Sequence, residues 1–238
     1  MMDNQRETIE ILLQNRCHLY QVLHTVFSGE PNEELIRQLA DESTSMAFGI
    51  LSENEEDVMG KMASFVKKLG DRLEESPLED KPSFLEQIKT EYTKLLVGPG
   101  KMIAYPWESI YVGKENLLFQ ESTLRVRQFY RKYGYLPQSY PHVADDHISL
   151  ELHFMAKLSA RVLEAFQKDD RESLRNLLEG QKIFLKYHLL KWIPQYVTCM
   201  KMSKTTCMYP QFAMAVETFI QIDDRLIDEL LAWLDTVA

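Results

Sequence analysis

Apolar residues recur at helical spacing almost from end to end of this chain. No stretch alternates apolar and polar residues with turn signals at strand spacing. Such a pattern restricts the fold to packed helices, an all-α class with about ten of them. Ile9, Leu13, Cys17, Tyr20, Leu23 and Phe27 form one stripe, closed by Gly29-Glu30-Pro31. Val58, Met62, Phe65, Val66, Leu69 and Leu73 form another. The acidic run Glu53 to Asp57 before it suits a helix start, where carboxylates face the positive end of the dipole. Leu85, Ile88, Tyr92, Leu95 and Leu96 follow Ser83 and Glu86, a capping-box pair, and Gly98-Pro99-Gly100 ends that helix. Ser122 is predicted to cap a helix carrying Val126, Phe129, Tyr130 and Tyr133, which stops at Gly134.

The next helix carries Ile148, Leu152, Met155, Val162 and Phe166, with Leu150, Phe154 and Leu158 on a second side. Apolar on most of its circumference, it is predicted to run through the core. Leu174, Leu178, Leu185 and His188 mark a helix predicted to end before Pro194. Two more are predicted around Pro210 to Ile220 and Asp224 to Val237. The chain reads as one domain over 1–238. A helix group over 1–135 meets another over 145–238 through a hinge at 136–144, which holds Pro137 and Pro141.

Charge and cysteine usage narrow the function. Lys plus Arg number 27 against 36 Asp plus Glu, a net charge of −9. That balance argues against nucleic-acid binding and favours a basic partner. Cys17, Cys199 and Cys207 are odd in number, lack a CxxC pair and fit a reducing compartment. The first residues are polar with helical period, unlike a signal peptide. No apolar run approaches the roughly 20 residues of a membrane helix. A soluble, cytoplasmic chain without stable membrane insertion is expected, and no cofactor.

Three segments invite a chemical reading. Asp145-Asp146-His147 can bind a metal or act as acid and base, but Asp145 also stands where a helix N-cap belongs. His147 and Glu151, four apart, can share a helix face. Further ligands at helical spacing are missing nearby, so capping is favoured over a metal-dependent hydrolase. Gly98-Pro99-Gly100-Lys101 lacks the spacing of a phosphate loop, and Pro99 removes a backbone donor. Ser109, in Trp107-Glu108-Ser109-Ile110-Tyr111, has no flanking glycines that would make it a nucleophile elbow. Tyr105, Trp107 and Tyr111 suit either a core or a peptide groove. The 11 methionines, four of them at 200, 202, 208 and 214, suit core filling first.

Four segments resemble, in order and spacing, the TorD/DmsD family of maturation chaperones for molybdenum-cofactor oxidoreductases. They are Glu91-Tyr92 through Leu95-Leu96 and Gly98-Pro99, the loop Tyr105 to Tyr111, Asp145-Asp146-His147 with Leu150 to Met155, and His188, Trp192 and Pro194. Ala144 departs from the proline that many relatives carry before the acidic pair. The resemblance implies an all-helical chaperone that is no enzyme. It implies binding of the twin-arginine leader peptide of a client reductase, or of its catalytic subunit as apoprotein, until the molybdopterin cofactor is inserted. It implies a client site made of Tyr105, Trp107, Glu108, Ser109, Tyr111, Asp145, Asp146, His147 and Glu151, carboxylates for the arginines beside aromatics for the apolar part. The chain is expected as a monomer or homodimer.

Overall fold

A computed structural model describes residues 2–75, 82–98, 102–113, 121–137 and 143–236, with side chains from residue 5 onward. The described residues are helical and hold no strand. The elements are α1 (Met2–Val26), α2 (Glu33–Leu39), α3 (Glu42–Ile50), α4 (Val58–Lys67), α5 (Leu69–Glu74) and α6 (Phe84–Tyr92). A π-helical turn, Thr93–Val97, extends α6. Then come α7 (Glu108–Val112), α8 (Glu121–Lys132), α9 (Ile148–Gln167) and α10 (Arg171–Phe184). A second π turn, Leu185–Leu189, joins α10 to α11 (Leu190–Met202), and α12 (Tyr209–Thr236) closes the chain.

The all-helical expectation holds. The Ser83/Glu86 capping box forms in full. Asp57 at the end of the acidic run caps α4, accepting from Gly60 N at 2.8 Å and from the amides of Glu53 and Asn54. Those donors hold its pKa down to about 2. Gly98, with φ +82°, turns the chain out of the first π turn, and Gly134, with φ +68°, follows α8; both conformations favour glycine. Residues 99–101 of the phosphate-loop-like segment lie outside the described residues, as do positions 138–142 of the expected hinge.

Helix α9 runs through the middle, packed along α1 and α10, and is buried on most sides. Helix α12 packs on α10, α11 and α4. A polar network crosses this core. Arg16 of α1 forms a fully buried ion pair with Asp223 of α12. Tyr20 donates to Asp223 at 2.6 Å and Arg16 to Gln181 at 3.0 Å, and Gln181 donates to Ser159 at 2.8 Å. Four helices, α1, α9, α10 and α12, are thereby fixed by groups that cannot be left unpaired in a dry interior.

Four boundaries differ from the sequence expectation. Ser122 lies inside the first turn of α8, which starts at Glu121. Asp145 does not cap α9; His147 does, its ring nitrogen accepting from Ser149 N at 3.2 Å. Pro194 does not end a helix but sits within α11, one turn beyond the second π turn. A π turn shifts the hydrogen-bond register, and the missing proline donor falls next to that shift. The tail is one 28-residue helix. The second helix expected from Asp224 is continuous with the first: the neighbouring Asp223 turns inward to Arg16, and no Gly or Pro breaks the run.

Candidate functional site

The Pro-aromatic loop and the acid-His segment meet. Glu108 N donates to Asp146 O at 3.0 Å and Ile148 N to Pro106 O at 2.9 Å, an isolated antiparallel bridge pairing Trp107 with His147. The bridge seats the edge of one ring on the other, with centroids 5.4 Å apart. Asp146 then reaches back, accepting from Ser109 N at 2.9 Å at the start of α7. Proline at 106 suits this arrangement, because only its carbonyl is used.

Beneath the bridge lies a buried polar cluster. His188 Nδ1 is 2.9 Å from Glu108 Oε2, and Trp192 donates its indole N–H to Glu151 Oε2 at 3.1 Å. Burial, then the neighbouring Glu108, drives the Glu151 carboxyl well above its ordinary range. Asp145 pairs with Arg127 at 2.7 Å, and its carbonyl accepts from the Tyr130 hydroxyl at 2.9 Å. Tyr111 stacks on Trp192, with centroids 5.5 Å apart.

All nine residues singled out from sequence therefore gather around one loop pair, but their exposure divides them. Glu108, Asp145, Asp146 and Glu151 are between 0% and 3% exposed, and Ser109 is fully buried. Each carboxyl meets an internal partner, with Asp146 Oδ1 and Glu151 Oε1 left without a hydrogen bond, and none presents an open acidic surface. Tyr105, Trp107, Tyr111 and His147 keep partial access to solvent. Val112, at the end of α7, is 41% exposed. The structure adds Arg127 and Tyr130 to the site. Tyr130 belonged to a plain helix stripe, Arg127 carried no sequence signal, and nothing in sequence tied either to Asp145. His188 and Trp192 were visible as a C-terminal pattern, and His188 also as part of a helix stripe.

Three histidines surround the start of α9. His24 Nδ1 is 2.8 Å from the Ser149 carbonyl, and His24 stacks on His153 at 4.4 Å between centroids. Tyr135 meets His153 Nδ1 at 2.8 Å. Burial holds His147 and His153 down to about 4 and lowers His24, so all three are neutral near pH 7.

Among the described residues, no group of three or more His, Cys, Asp or Glu is placed to hold a metal ion. Asp145, Asp146 and His147 turn to Arg127, Ser109 and Ser149 respectively, so they converge on no shared point. No helix among them is long and apolar enough to cross a membrane.

Comparison with known proteins agrees with the sequence resemblance. Over 226 residues the chain is 24% identical to the chaperone protein TorD of Vibrio cholerae, covering 94% of this chain and 97% of that one. It is 22% identical to the TorD chaperone of Aliivibrio salmonicida, over 90% of this chain and 95% of the relative. A putative redox enzyme maturation protein from Archaeoglobus fulgidus aligns with a TM-score of 0.49 and 20% identity, over 87% and 93% of the two chains. The family model described as nitrate reductase delta subunit matches residues 55–198, which span both halves of the loop pair, and the chain belongs to that TorD-like family.

Proposed function

We propose that this chain is a maturation chaperone, and no enzyme, for the catalytic subunit of a molybdenum-cofactor oxidoreductase. It holds the client's twin-arginine leader, or the apoprotein, until the cofactor is inserted. The observation that carries this reading is the paired loop in which Trp107, Tyr105 and His147 stand partly open above a buried polar base. Rigid aromatics at the surface supply contact area at low entropic cost, as peptide-binding surfaces need. The buried carboxylates do a different task, holding the loop in shape. The relatives' description as chaperones supports the same reading.

The metal-dependent hydrolase alternative has no geometric support, because the two aspartates and the histidine diverge. Calorimetric titration of a synthetic twin-arginine leader peptide into the purified chain tests the proposal. Saturable one-to-one binding is expected, and it should weaken when both arginines are replaced by glutamine. Heat no greater than dilution would overturn it.

A further inference from the structure

A second surface lies on α1, whose His24 bonds the Ser149 carbonyl. Helices α1 and α2 and the start of α3 enclose an open cleft of about 940 Å³. Val22, Leu35 and Leu39 give it an apolar floor. Glu33, Glu34 and Asp41 rim it against a single cation, Arg37, which Glu33 and Glu74 already hold at 2.7 Å each. The lining is therefore negative with its cation neutralised. Beyond the cleft on the same two flanking helices, Ile11, Met46 and Ile50 are 48%, 60% and 46% exposed.

We propose that this cleft takes the basic segment of the client leader, as a short amphipathic stretch with its apolar side on Val22 and Leu35 and its arginines at the glutamate rim. The inference rests on the maturation reading above and assigns the leader's arginines a place that the buried Asp145, Asp146, Glu108 and Glu151 do not offer. Charge complementarity supports it, since exposed carboxylates attract and orient guanidinium groups without the cost of full desolvation. Continuity supports it as well. His24 of α1 bonds Ser149 beside His147, while Gln21 and Thr25, on either side of it in sequence, line the cleft. A leader that is basic and then apolar can lie along the end of α1 with its two parts on the two surfaces.

The test uses a fluorescein-labelled peptide of two adjacent arginines followed by an Ala/Leu stretch, read by anisotropy against wild type and a Gln21→Arg/Glu34→Lys double variant. Both positions are exposed, so both proteins should fold, with circular dichroism melts as the control. The double variant should bind about tenfold more weakly and with a shallower salt dependence. A benzophenone group placed beside the arginines should cross-link to α1 or α2. Equal binding by wild type and double variant, or cross-links confined to residues 105–111, would overturn the cleft assignment and leave the maturation reading standing. A peptide that fails to bind wild type would overturn both.

Discussion

Trp192 donates its indole N–H to Glu151 Oε2 at 3.1 Å, and both side chains are fully buried. The bond ties α11 to α9 beneath the loop pair. Replacing Trp192 with Phe keeps most of the volume and removes the donor. The orphaned acceptor and the small void should cost about 2 kcal/mol of unfolding free energy. Glu151→Gln should be neutral or stabilising at pH 7, because it removes a carboxyl whose charged form burial disfavours. The sign follows from linkage. Above the ordinary carboxylate range the unfolded chain ionises more readily than the folded one, so native Glu151 loses stability as pH rises. Urea melts at pH 5 and pH 8 check both variants; strong destabilisation by Glu151→Gln at pH 8 would contradict a carboxyl shifted upward by burial.

The histidines act with the opposite sign. His147 is held down to about 4, so below about pH 6.5 the unfolded chain takes up a proton that the folded chain refuses. Its contribution is complete above pH 6.5 and is lost as pH falls through 4, up to about 3 kcal/mol across that window. Protonation would also remove the ring acceptor that caps Ser149 N. His147→Asn keeps a capping acceptor and does not titrate, so its melting profile should be flatter between pH 6.5 and pH 4 than that of wild type. Parallel slopes for the two proteins would refute the assignment.

Glu91 is 3% exposed and accepts from three successive amides, Cys207, Met208 and Tyr209, at 2.9, 2.7 and 2.9 Å. It thus serves the start of α12 from 116 residues away in sequence. Glu91→Ala should cost about 3 kcal/mol, because it strips a charge-assisted cap and strands buried donors. A loss below about 0.5 kcal/mol in urea melts would show that water replaces the carboxylate.

Glu91 also shows where sequence reasoning stops. Helical period located the elements, and Ser83/Glu86 and Asp57 gave local starts, because both signals lie within a few residues of each other. Pairings across the fold leave no such trace. Glu91 with α12, Arg16 with Asp223 and Asp145 with Arg127 unite residues that are individually ordinary. The acid-His segment was legible as a site, but its burial was not. Asp145 looked like a cap because nothing local reveals the Arg127 guanidinium beside it. The tail reads as two helices, the second from Asp224, because nothing local shows that Asp223 beside it turns inward to Arg16 within one continuous helix.

Arg16→Ala should be among the most damaging single changes, about 3 to 5 kcal/mol, because Asp223 and the Tyr20 hydroxyl remain in a dry core without their cation. Arg16→Met combined with Asp223→Leu should recover most of that loss, since it removes both charges and keeps the volume. Thermal melts of the two variants decide the matter. A double variant no more stable than Arg16→Ala would mean that the helices are held by the polar geometry itself and not by the avoidance of an unpaired charge.

The loop pair separates shape from contact. Asp146 is fully buried and serves Ser109 N, whereas Trp107 is partly open. Asp146→Asn preserves an acceptor for that amide, so leader affinity should stay within about twofold of wild type, with at most a modest loss of stability. Asp146→Ala leaves the amide unpaired and should cost about 1 to 3 kcal/mol of stability. Trp107→Ala should leave the melting profile nearly unchanged. It should weaken leader binding by about 2 kcal/mol, roughly thirtyfold, because it removes a large aromatic contact. Calorimetric titration of the leader peptide, with circular dichroism melts as the folding control, reads all three. If Asp146→Asn weakens binding as much as Trp107→Ala while melting like wild type, the carboxylate meets the client directly and the loop must open to expose it.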